Sequence, residues 1–280
     1  MGMSAKQKVG KAAIWIVLIL LAVYTFAPLI FLIINSFKSN AEIVANPIAL
    51  PTTWSMQFIN TAMEQIHFWR AIFVTFMITF LSVLLIVVVS SLCAWVMVRV
   101  KSAASNFIYL LFAAAMLIPF QSLMYPLIAE FENLYLKNIP GLIIMYGGFG
   151  LSMSVFLYHG FFKSVPISLE EAAILDGANT FQMFFNVVFP LVKSTTVTVI
   201  VLNAMWIWND YLLPFLVIGN SQGTKTLTLE LYFAKLTSGQ YGNPWELIFP
   251  AVFVTIIPII ILYIFLQRYI IRGVADGAVK

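Results

Sequence analysis

Residues 71–98 read "AIFVTFMITFLSVLLIVVVSSLCAWVMV", 28 positions without one charged side chain. As a helix this run is about 42 Å long at ~1.5 Å per residue, more than enough to cross a ~30 Å hydrocarbon core. In hydrocarbon every backbone N–H and C=O must find its partner within the protein, which leaves a helix as the form for an isolated apolar run. Five further runs are long enough to do the same, at 12–34, 105–129, 140–162, 194–218 and 247–271. With 62% hydrophobic and 9% charged residues, the chain has too little polar surface for a water-soluble globule. The expectation is an all-α integral membrane protein with six transmembrane helices, forming one membrane domain over 1–280.

The first run follows Lys6, Lys8 and Lys11 and in that respect looks like a signal peptide, but it is too long and no small-residue cleavage site follows it. It reads as a retained span. Basic residues collect on the cytoplasmic side, and placing the N-terminus there puts ten Lys and Arg inside and five outside. Both termini are therefore expected in the cytoplasm, with loops 35–70 and 219–246 outside and loop 163–193 inside. The pI of about 9.1 is a topology signal, and nothing in it points to nucleic acid. The outer loops, with stretches such as "NPIALPTTWSMQFIN", suit a docking surface or a solvated connection. Cys93 is alone, so the chain can form neither a disulfide within itself nor a cysteine metal cluster. His67 and His159 fall on opposite sides of the membrane and have no partners at ligand spacing; no metal site is expected.

The inner loop carries "EEAAILDGANTFQMFFNVVFP", Glu170 to Pro190. Ser168 and Glu171 have the spacing of a capping box, so a short helix is expected over about 169–176 with Ser168 as N-cap. Gly177 stands where a left-handed residue would end it. Asn179 can cap a second helix with Phe181, Phe184, Phe185 and Val188 on one face, limited by Pro190. Two such helices often lie on lipid. Lipid-surface helices, however, carry Lys and Arg to meet an anionic leaflet, whereas residues 165–189 hold Glu170, Glu171 and Asp176 and no base. That charge favours a basic protein partner, and Ala172 and Ala173 let a partner approach the backbone closely.

The spacing Glu171-Ala172-Ala173, Gly177 and Val187 to Pro190 resembles the EAA motif of binding-protein-dependent ABC importer permeases. Val187 and Phe189 replace the more usual Ile and Leu and keep the positions apolar. "ILDGANTFQMFFNVVFPL", "WIWNDYLLPFLVI", "PFQSLMYPL" and the ending "QRYIIRGVADGAVK" resemble the maltose-type carbohydrate permeases, over nearly the whole chain. The resemblance implies the type I importer permease fold, a sister permease, two copies of a cytoplasmic ATPase and an extracytoplasmic sugar-binding protein. It also implies that the EAA helix couples the spans to the ATPase, through Glu170, Glu171, Ala172, Ala173, Asp176, Gly177 and Pro190, and that the tail from Gly273 to Lys280 reaches into the ATPase dimer. The chain has no G-x-x-x-x-G-K-[ST] loop, so ATP and Mg are expected in the partner and no cofactor here.

Asp210 is the acid expected well inside a span, about 24 Å from Ser194 at ~1.5 Å per residue. An acid there faces a bundle interior or a water-filled path. With Trp208 and Asn209 it is a candidate for the translocation pathway or its gate; pairing within the bundle and an interfacial aromatic belt are the plainer alternatives. A permease for another solute such as glycerol phosphate, and a secondary transporter, are the rival functions. The second would be expected to show inverted repeats and ion sites near the midplane, and neither is visible.

Overall fold

The computed structural model describes the backbone of residues 5–219, 221, 223–238 and 244–278. Every regular element among them is helical. In chain order these are α1 (Ala5–Asn35), α2 (Asn40–Ala45), α3 (Gln57–Gln65), α4 (Phe68–Arg99), α5 (Ala103–Ala115), α6 (Phe120–Asn133) and α7 (Ile139–Phe162). There follow α8 (Ser168–Leu175), α9 (Thr180–Leu191), α10 (Lys193–Asn209), α11 (Leu212–Val217), α12 (Leu227–Ser238) and α13 (Trp245–Ala278). Four segments are long and apolar enough to cross a membrane singly: Ile14–Asn35, Phe68–Arg99, Ile139–Phe162 and Trp245–Phe265. Two bent pairs, α5 with α6 and α9 with α10, raise the number to six if each counts as one span.

The expected spans 105–129 and 194–218 are each interrupted, the first between α5 and α6 and the second between α10 and α11, a break separate from the bend that joins α9 to α10; a proline accounts for each interruption. Between α5 and α6 the axis turns by 105°. Pro119 disfavours helical geometry at Ile118, so the chain pauses over 116–119 and restarts with Pro119 as the extended cap of α6. In the second case the ring of Pro214 would collide, in a continuous helix, with the carbonyl of the residue four positions earlier, which is Asp210. Asp210 is extended, with φ −74° and ψ 132°, and α10 stops at Asn209. The carbonyl oxygen of Asp210 then accepts from the Thr228 hydroxyl at 2.8 Å.

The chain divides into two compact units. One comprises residues up to Phe68 with Leu231–Ile257. Its α1 is exposed along almost its whole length, as Ile16, Leu20 and Tyr24 show. The start of α13 meets α2 through Glu246, whose Oε2 accepts from Asn40 N–H at 2.8 Å, and through Asn40 Oδ1, which accepts from Trp245 N–H at 3.2 Å. A capping box of Ser39 and Glu42 opens α2. The Glu42 carboxyl is held below the usual carboxylate range by the Thr52 hydroxyl first, then by the Ser39 and Thr52 backbone amides.

The second unit, Trp69–Glu230 with the chain from Pro258, contains the larger core, where Ile86, Leu142, Tyr146, Val155, Tyr158 and Val199 are fully buried. Helix α7 lies at its centre. It is capped by Asn138, whose Oδ1 accepts from Gly141 N–H at 2.9 Å. Polar bonds tie it to α10: Tyr158 donates to Thr196 Oγ1 at 3.0 Å, and Asn203 Nδ2 to Ser154 Oγ at 3.0 Å. Gly150 permits this approach, because a Cβ there would stand 2.7 Å from Asn203 Oδ1.

Candidate functional site

The acidic loop folds into two helices, much as its residues suggest, with one shift in the first cap. Leu169 N–H bonds to Pro166 O at 3.3 Å and Glu170 N–H to Ile167 O at 2.9 Å, so the turn is already wound at Ile167. Ser168 is consequently inside α8 and makes no capping bond; Ile167 is the N-cap, without a side-chain acceptor. The expected Ser168–Glu171 capping box does not form. The far end follows expectation closely. Gly177 has φ 83°, its N–H bonds to Ile174 O at 3.0 Å, and Ala178 N–H bonds to Ala173 O at 2.9 Å. This pair of bonds is a Schellman motif. Asn179 and Gln182 form a reciprocal capping box at the start of α9.

Within α9 the helix widens to π geometry over Met183–Val188, and Phe189 N–H reaches Phe184 O five residues back. The widening precedes Pro190, which has no N–H to continue the ordinary ladder. It also splits the expected aromatic face: Phe184 and Val188 are buried, while Phe181 is 74% exposed and Phe185 44%. After Leu191 the axis turns by 80° into α10.

The three acids are not equivalent. Glu170 is turned inward and 5% exposed. Its Oε1 accepts from Arg99 Nε at 2.8 Å and from Trp95 Nε1 at 3.2 Å, and Arg99 Nη2 stands 2.7 Å away. Glu170 therefore meets a base of its own chain, and its carboxylate is turned away from any outside partner. Burial explains why: a carboxylate out of water needs a charged or donating partner close by. Glu171, Ala172, Asp176 and Gly177 are exposed and Ala173 is buried. Around the two outward acids stand Ile167, Leu169, Ile174, Leu175 and Phe181, exposed apolar side chains with Leu175 at 88%. The loop thus presents an acidic and greasy face over a buried seam that faces the core. Pro190 is exposed at the end of α9.

The second group lies at the break after α10. Asp210 Oδ2 accepts from the buried Tyr146 hydroxyl at 2.9 Å, and Oδ1 accepts from Leu212 N–H, the first amide of α11, at 2.9 Å. Asp210 thus stands between the end of one helix and the start of the next, where a continuous helix over 194–218 was expected. Trp208 is buried, whereas Asn209 is exposed and its Nδ2 donates to Met205 O at 2.7 Å. The three candidates consequently do not share one surface. Trp206 stacks edge-on against Tyr146 at 5.4 Å and borders a cavity of about 850 Å³, which Phe120, Phe149 and Asn203 also line. Tyr146, Thr228, Trp95 and Arg99 were not among the residues that pattern alone picks out. Arg99 registers in the sequence only as a base ending a span, and a tyrosine inside an apolar run carries no signal of its partner.

Helix α13 is described to Ala278, but the side chains of the tail from Gly273 to Lys280 lie outside the described residues.

Known proteins resemble the chain over nearly its whole length. A probable starch degradation products transport system permease protein, AmyC, of Thermoanaerobacterium thermosulfurigenes is 41% identical over 262 residues, 94% of each chain. The multiple sugar-binding transport system permease protein MsmG of Streptococcus mutans is 32% identical over 284 residues, 99% of this chain and all of that one. A crystal structure of a bacterial ABC transporter involved in the import of the acidic polysaccharide alginate contains a chain with the same fold, at a TM-score of 0.82 and 22% identity over 96% of this chain and 99% of that chain. Residues 86–276, which contain the acidic loop and the break at Asp210, match the family described as binding-protein-dependent transport system inner membrane component, and the chain belongs to that family.

Proposed function

We infer that this chain is the membrane-spanning permease subunit of an ATP-driven ABC importer for a sugar or oligosaccharide. The sugar class is supported by relatives named for starch degradation products and multiple sugars, which match nearly the whole chain. A sister permease completes the path, two ATP-binding subunits carry ATP and Mg, and an extracytoplasmic sugar-binding protein delivers the cargo. Both termini and loop 163–193 lie in the cytoplasm. The observation that carries the coupling role is the outward face of α8 and α9, where Glu171 and Asp176 stand among Leu175, Ile174 and Phe181. Exposed apolar side chains grouped about charged ones mark a protein contact, and the negative charge selects a basic cleft on the ATPase.

Glu171→Lys tests the reading. Its side chain is exposed, so the fold and membrane insertion should survive, while like charge meets like at the joint. Maltodextrin uptake and the amount of ATPase copurified should each fall by about tenfold or more, since like charges brought together at an interface cost several kcal/mol. Normal values of both would remove the loop from coupling.

A further inference from the structure

The grip on Glu170 comes from a single helical turn of α4. Trp95 and Arg99 are four residues apart and project from the same face. Their donors converge on one carboxylate oxygen, and Arg99 Nη2 also donates to the Val165 carbonyl at 3.1 Å, just ahead of α8. The arrangement is largely dry, with the Arg99 and Glu170 side chains 18% and 7% exposed. The Trp95 ring also lies 5.1 Å from the Phe184 ring in the widened turn of α9. One turn of α4 thus holds both helices of the loop. Near the other end of α4, Thr75 Oγ1 accepts from Leu227 N–H at 2.8 Å. Thr75 and Arg99 are about 36 Å apart along an unbroken helix at ~1.5 Å per residue.

An apolar seam alone would let α8 slide or roll under a load. A buried charge held by directed donors has one low-energy geometry, because any displacement strands both the carboxylate and the guanidinium out of water. The pair is therefore suited to transmitting a push.

We propose that Arg99, assisted by Trp95, is a positioning residue of the transport cycle. It grips Glu170 so that displacement of the coupling loop moves α4 with it, and the Thr75 contact passes that motion to the segment around Leu227. The proposal rests on the reading of the loop as the ATPase joint.

The test uses the full chain in its complex, in a Cys93→Ala background with Ser221→Cys as the only cysteine. Labelling by a charged maleimide is measured with and without Mg-ATP and vanadate, beside ATP hydrolysis and yield. Nucleotide should alter the labelling rate in this parent. In Glu170→Gln the response should shrink about tenfold, as expected when a coupling contact is lost, and Arg99→Lys should give an intermediate response. Hydrolysis and ATPase yield should stay within about twofold of the parent in both, since the variants leave the outward face of α8 intact. A parent that recovers no ATPase defeats the coupling reading itself. If the ATPase is present and active, an unresponsive parent, or variants that respond as the parent does, overturn the grip. Failure of both variants to assemble makes the pair a folding element and overturns it as well.

Discussion

At Gly177 the backbone has φ 83°, and a Cβ there would meet nothing within 4 Å. The position is thus restricted by conformation and not by space. Any L residue pays for the left-handed geometry, about 1–2 kcal/mol, and a β-branched one more. Gly177→Val should therefore loosen the turn that joins α8 to α9 and cut sugar uptake by about tenfold, while Gly177→Asn, which tolerates the left-handed region, should keep most of it. Parallel uptake assays of the two variants check this; equal activities would mean that the turn conformation does not matter to transport. The glycine was legible in the sequence because a Schellman end has a local signature. The inward turn of Glu170 was not, since two adjacent acids look alike until Arg99, 71 residues away, is placed beside one of them.

Among the elements, the break between α10 and α11 is the feature whose chemistry is best defined. Asp210 binds the Tyr146 hydroxyl and the Leu212 amide through its side chain, and Thr228 through its carbonyl. Such a junction is held by hydrogen bonds where a continuous helix would use its own ladder, which suits a point of movement. Removing the acceptor from the buried tyrosine costs about 1–3 kcal/mol. Asp210→Asn keeps one accepting oxygen, for the Leu212 amide, and presents an NH2 that can donate to the Tyr146 hydroxyl oxygen, so it should keep the yield of complex. Asp210→Ala should lower uptake about tenfold while ATP hydrolysis persists, if the junction belongs to the pathway or gate. Uptake, hydrolysis and yield measured on one preparation decide it: parallel loss of all three would assign Asp210 to packing. The break itself was present in the sequence as Pro214, four residues after Asp210, and Pro119 likewise marks the break between α5 and α6. Long apolar runs conceal such breaks when they are judged by hydropathy alone.

For the whole molecule, the charge asymmetry makes a topology that can be measured. With termini inside, loop 35–70 faces outward and the acidic loop inward. Ile48 and Leu175 are 79% and 88% exposed, one in each loop. In a Cys93→Ala background, a cysteine at Ile48 should react with an impermeant maleimide on intact cells, and a cysteine at Leu175 only after permeabilisation. The opposite pattern would invert the chain. The largely uncovered α1 belongs to this scale too, because a helix so exposed within its own chain must find lipid or another subunit around it.

Composition and apolar run length determined by themselves that the protein is helical and spans a membrane, because hydrocarbon permits few other ways to satisfy a backbone. The EAA spacing determined where the loop turns and which family the chain resembles, since caps and left-handed glycines act over a few residues. Only the tertiary structure decided which acids face outward, what holds the loop to α4, and that Asp210 binds Tyr146. Those outcomes depend on partners far apart in the chain, whose approach is set by packing and by the cost of leaving a buried polar group alone.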